Sequence, residues 1–231
     1  MRLKNPYWGY TELAIAAGIM LPAVAVMAAS VGMMRSAPKP VQVMVGQSIL
    51  YAVLFAGVYM VLKKSYDEPV GEGLGWTIGP VQHWKAVLVG IMLAVGLSAL
   101  GIALRTPQMT GPMKELMNTN LGLIVVGLGA TTIFPVCEEL AFRGFILPLF
   151  ARSFGVWGGI FLTAFPFALL HGPQYEWHWQ YILLLTMAGA AFGWMRVFSQ
   201  STITASVMHA AYNMTFMLGY LANQKELSGT W

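Results

Sequence analysis

The chain has 231 residues, 57% of them hydrophobic and only 10% charged, with 13 Lys and Arg against 9 Asp and Glu and a formal net charge of +4. Soluble domains carry about a quarter charged residues, so this composition excludes an ordinary water-soluble domain. The basic residues stand singly between apolar runs instead of in clusters, which excludes a nucleic-acid-binding surface and makes them membrane-flanking anchors.

A hydrocarbon core of roughly 30 Å requires about 20 apolar residues per helix. In chain order, runs of that kind cover 13–34, 41–62, 86–104, 121–137, 156–170, 181–195 and 203–221. They predict an all-α, polytopic transmembrane helical bundle of about seven spans, in a single membrane domain over residues 1–231. The first run invites a competing reading as a signal peptide, because Arg2 and Lys4 precede it and Met27-Ala28-Ala29-Ser30 resembles a cleavage site. Its 22 residues and the Glu12 at its start favour a span. Alternating loops place Arg2, Lys4, Lys63, Lys64, Lys85, Arg152 and Arg196 on one side, and Arg35, Lys39, Arg105, Lys114 and Lys225 on the other. Seven cations against five favour a cytoplasmic N-terminus. The single cysteine, Cys137, excludes an internal disulfide.

Ionisable and amide side chains inside apolar runs are costly, and their positions therefore carry information. The first group is Glu138-Glu139-Leu140-Ala141-Phe142-Arg143. Glu139 and Arg143 are four apart, one helical face, and are expected to form an ion pair, whereas Glu138 points about 100° away. The second is His171, with Phe167 one turn before it, and the third is His209 with Asn213, again four apart. If the fourth and fifth helices form an antiparallel hairpin turning near Phe154, positions equidistant from the turn lie at equal depth. Glu138 and His171 are such a pair.

A buried carboxylate beside a neutral imidazole can deprotonate a water, and N–H donors such as His209 and Asn213 can stabilise the oxyanion of a tetrahedral intermediate. The same Glu138, His171 and His209 also form a two-His, one-carboxylate set of the kind that holds catalytic zinc. The HExxH pattern is absent, and Asn213 is a poor zinc ligand.

In order, the three segments match EExxxR, FxxxH and HxxxN patterns, and together they resemble the CPBP, or Abi, family of membrane proteases. That family includes type II CAAX prenyl endopeptidases and bacterial proteins linked to bacteriocin processing or self-immunity. The resemblance covers about 120–220. It implies a C-terminal four-helix catalytic core over 120–222, with no recognised motif in 1–119. It implies an intramembrane endopeptidase in which Glu138 and His171 activate water, His209 and Asn213 form the oxyanion hole, and Glu139, Arg143 and Phe167 support them, with no cofactor required. A peptide or prenylated peptide would be the substrate and the lipid bilayer the setting, with a bacterial inner membrane the expected location. A family site of this kind opens toward the cytosol, whereas the hairpin places it away from Arg152.

Other classes remain. The polar groups would equally suit a non-enzymatic immunity or scaffold protein, with Gly155, Gly159, Gly189 and Gly193 at helix-packing spacing. They would also suit a zinc-dependent protease, or a proton-coupled transporter, which lacks support from internal symmetry. Cys137 has no base placed for thiol catalysis. His178 lies in an aromatic interfacial belt, Glu176-Trp177-His178-Trp179, and His83 lies in a loop.

Overall fold

A computed structural model describes residues 3–108 and 110–228, with the side chains of 223–228 excepted. Arg2 and the side chain of Lys225, both used in the charge tally, lie outside the described residues. Among those described there is no strand. The helices are α1 (Tyr10–Met33), α2 (Lys39–Ser65), α3 (Val70–Gly73), α4 (His83–Ala103), α5 (Gly111–Leu116), α6 (Asn120–Thr131), α7 (Ile133–Glu139), α8 (Leu147–Leu170), α9 (Trp179–Ser199) and α10 (Thr202–Ser228). A π-helical segment, Leu140–Ile146, joins α7 to α8, and a 3-10 turn, Gly172–Tyr175, follows α8.

Among the described residues five helical stretches are long and apolar enough to cross a membrane, which makes this an integral membrane protein, with five such stretches against the seven spans expected. The difference has two sources. Residues Asn120–Leu170 count as a single stretch of 51 residues although the chain turns back within it at Gly155, and α10, although 27 residues long, is diluted by Ser206, His209, Asn213 and Thr215. More than half of the most apolar window of α9 is buried (56%) against 11% for α1, so α9 runs through the centre and α1 along the periphery.

The 51-residue stretch is articulated at points the sequence explains. Thr132 leaves helical geometry at φ −129°, ψ −83°, because Pro135 has no N–H and its ring crowds the carbonyl four residues earlier, that of Thr131. The chain reverses at Gly155, whose φ of 74° and ψ of 166° break α8 into two arms. This is the hairpin turn expected near Phe154. Equal depth holds across it: Phe142 and Phe167, equidistant from the turn, meet edge-on at 5.3 Å between centroids. Only glycine adopts that backbone without strain, so Gly155→Ala is expected to cost about 1–3 kcal/mol. Thermal unfolding of the detergent-solubilised protein checks it, with Gly96→Ala in α4, where a Cβ meets nothing within 4 Å, as a control that should not lose stability.

Helices α4, α9 and α10 share a core of Ala86, Ala94, Leu97, Leu184, Ala188, Phe192, Met195, Ala205, Met208 and Tyr212. Small residues set its closeness: a Cβ on Gly90 would lie 2.4 Å from the Met208 carbonyl oxygen. The N-terminal segment joins a second core in which Trp8, Val58, Leu62, Val70, Leu74 and Phe145 pack together. Trp8 Nε1 donates to the Phe145 carbonyl at 3.1 Å, and its ring stacks on Phe145. Two cations counted as loop anchors have structural partners instead. Arg152 donates to the carbonyls of Pro6 and Trp8, and Arg196, 5% exposed in the last turn of α9, lies against Gly75. The loop tally thus mixes headgroup anchors with cations that hold the fold.

Candidate active site

The site is assembled where α7, the π segment, α2 and α10 converge. Glu139 and Arg143 are fully buried (0% side-chain exposure for each) and paired at 2.9 Å, as their spacing required. Arg143 also donates to the Gly189 carbonyl at 2.7 Å and faces the Phe167 ring at 4.7 Å. Gly189 makes room for this guanidinium, since a Cβ there would lie 3.0 Å from Nη2. The same Glu139 oxygen, Oε1, accepts from His209 Nδ1 at 3.0 Å. One carboxylate oxygen therefore ties an arginine of the π segment to a histidine of α10.

That bond determines what His209 presents to its other side. A carboxylate only accepts, so Nδ1 carries the hydrogen and Nε2 alone remains for chemistry. Nε2 lies 3.8 Å from Glu138 Oε2, and His209 is further fixed by stacking on Phe192 at 4.3 Å. The other oxygen of Glu138, Oε1, accepts from the Tyr51 hydroxyl at 3.1 Å.

His171 caps α8 and hydrogen-bonds through Nδ1 to the Phe167 carbonyl at 2.8 Å, which leaves its Nε2 free of the backbone. Its ring lies 4.6 Å from Phe167, and Phe167 in turn lies 5.9 Å from His209. The contacts of Glu138 run to Tyr51 and His209, whereas His171, its expected partner, packs on Phe167, whose ring also neighbours His209. Asn213 donates one amide hydrogen to the Ala130 carbonyl at 2.7 Å, and its second amide hydrogen is left over.

Tyr175 follows His171 in the 3-10 turn, and burial, with lesser contributions from Tyr181 and Glu138, pushes its phenol up to about 12. It is therefore a neutral group at physiological pH. Its loop is pinned by stacking on Tyr181 at 4.5 Å, by Thr110 donating to Glu176, and by Tyr181 donating to the Pro107 carbonyl. Cys137, Thr131, Ile133 and Val136 line an apolar groove of about 470 Å³ together with Trp76, Val207 and Ala210.

Among the described residues no three His, Cys, Asp or Glu side chains are grouped so as to hold a metal ion, so Glu138, His171 and His209 do not form a ready zinc set. Two groups at the site escaped the sequence reading: Gln47 and Tyr51, both in α2, with Gln47 Nε2 donating to the Tyr51 hydroxyl at 2.9 Å. Their signal was present, a polar pair four apart inside the charge-free run 41–62, but neither is ionised at neutral pH.

No curated protein and no solved structure gives a significant match to the chain. One family model does, and it matches the segment holding all three polar motifs: over residues 120–215, less than half of its length, this chain matches the family described as Type II CAAX prenyl endopeptidase Rce1-like, in agreement with the resemblance its motifs carry.

Proposed function

We propose that the protein is an intramembrane endopeptidase that hydrolyses a peptide bond with a water activated by Glu138 and His171. The observation that carries this reading is the confrontation of Glu138 Oε2 and His209 Nε2 at 3.8 Å. Both are acceptors while His209 is neutral, so a molecule that donates to both, as a water does, complements them. Glu138 takes the proton as the oxygen attacks the carbonyl, His171, with Nε2 free, holds the water's other hydrogen, and the proton taken by Glu138 is later delivered to the leaving amine. Asn213, its amide plane held by Ala130, offers its remaining N–H to the oxyanion. His209 joins it while Nε2 holds the proton that Glu138 took, before that proton goes to the leaving amine, with the Glu139 carboxylate at Nδ1 as counter-charge.

The substrate we propose is a peptide carrying a hydrocarbon chain, of the prenylated type that the matched family's description names. Supporting this, the groove that holds Cys137 is walled by Trp76, Ile133, Val136 and Val207, and its lining includes the residues adjacent in sequence to Glu138 and His209.

The test is cleavage of quenched fluorescent peptides, prenylated and plain, by purified protein with and without chelator. Cleavage that survives chelation and is lost in Glu138→Gln and His171→Ala supports the reading. Loss on chelation would replace it with metal catalysis, and wild-type rates in both variants would sink it. Asn213→Ala is expected to lower kcat by about 10²–10³ through loss of one oxyanion donor, with KM little changed, as steady-state kinetics on the best peptide would show.

A further inference from the structure

We propose that Tyr51, oriented by Gln47, is a positioning residue for Glu138, which holds one carboxylate oxygen so that the other faces the reacting water. The inference rests on the endopeptidase reading for its kinetic consequence, and on the contacts themselves for its structural one. Both residues come from α2, outside the matched residues 120–215.

The direction of the hydrogen bonds follows from valence. Gln47 Nε2 donates to the Tyr51 oxygen at 2.9 Å, so that oxygen serves as an acceptor, and the phenolic hydrogen goes to Glu138 Oε1 at 3.1 Å. The ring is held from two sides: its centroid is 6.3 Å from that of Phe55 on α2 and 6.0 Å from that of Phe134 on α7, the helix that carries Glu138. The hydroxyl is thus presented by packing as well as by hydrogen bonding. Gln47 and Tyr51 are one helical turn apart, so a single face of α2 supplies both.

This contact makes the two oxygens of Glu138 unequal. Oε1 is occupied by a neutral donor, whereas Oε2 faces His209 Nε2 at 3.8 Å. A glutamate has several rotatable bonds, and 15% of this side chain is exposed. Without Tyr51 the carboxylate would be free to turn either oxygen, or neither, toward the scissile carbonyl. Small misplacements of a reacting group reduce rate steeply and leave binding largely intact. A helix-to-helix bond serving stability alone would do the reverse.

The experiment compares wild type, Tyr51→Phe, Gln47→Leu and the double variant on a peptide that wild type cleaves. Tyr51→Phe keeps the ring between Phe55 and Phe134 and removes only the hydroxyl. It is expected to lower kcat about tenfold at unchanged KM. Gln47→Leu should lower kcat less, and should add nothing in the Tyr51→Phe background. Wild-type kcat in Tyr51→Phe, or a change confined to KM, would overturn the proposal. An arm independent of activity measures thermal midpoints of Tyr51→Phe in the wild-type and Glu138→Ala backgrounds. A midpoint shift present in the first and absent in the second shows the contact, and equal shifts in both would overturn it. A wild type that cleaves no peptide while the coupling persists would count against the protease reading alone.

Discussion

Replacing Glu138 by Gln is expected to lower kcat by about 10²–10⁴, the contribution typical of a positioned general base. The amide has the size of the carboxylate, and its carbonyl oxygen can still accept from Tyr51, so the site keeps its shape. What it loses is the capacity to take a proton from water. A folded Glu138→Gln protein with an unchanged melting profile and no turnover is the outcome that separates an enzyme from a scaffold. A scaffold that uses the polar cluster only for assembly would tolerate the change. Retained turnover would instead transfer the base to His171 or His209. The measurement is initial rate against substrate concentration in detergent or in reconstituted vesicles, with circular dichroism to verify folding.

Arg143→Met should have the largest effect on stability. Glu139 is fully buried, and its Oε1 accepts from Arg143 at 2.9 Å and from His209 at 3.0 Å. Removing the arginine strands a buried carboxylate, which costs about 3–5 kcal/mol when one partner of a buried pair is deleted. The Gly189 carbonyl and the Phe167 face lose their partner at the same time. The expected result is a protein that is poorly recovered from membranes or melts far below wild type. Glu139→Gln combined with Arg143→Met should regain a substantial part of that loss, because the uncompensated charge goes with it. A single Arg143→Met variant as stable as wild type would show that the pair is not what fixes the π segment against α9 and α10.

The parts of this architecture that were legible in the sequence share one property: a polar group that lipid does not tolerate. Glu139 and Arg143 could be paired from their spacing because no other compensation lay within a turn. The turn at Gly155 was located to within a residue by the short polar interruption between apolar runs. The partner of Glu138 was not legible. Equal depth specifies height along a helix and says nothing of direction around it. The π segment immediately after Glu139 places an additional residue in the turn, which rotates everything beyond it relative to an α-helical projection. Tyr51 and Gln47 were overlooked because amides and phenols carry no charge, and burying them in an apolar run is less costly than burying an ion. Arg196 was misassigned for the opposite reason, since a cation near a helix terminus suggests headgroups, whereas here the terminus is buried.

The stacking of Trp8 on Phe145 has a practical corollary for the modularity of this protein. Phe145 belongs to the π segment that carries Arg143, two residues away, and Trp8 is 1% exposed. The segment around Trp8 therefore buttresses the backbone on which the buried ion pair is mounted, while Tyr51 of α2 reaches Glu138. A fragment trimmed to the matched residues would retain every recognisable motif and lose two of its supports. Autonomy of the C-terminal half is thus not to be expected, and a fusion partner placed ahead of residue 8 adjoins a residue packed directly on the π segment.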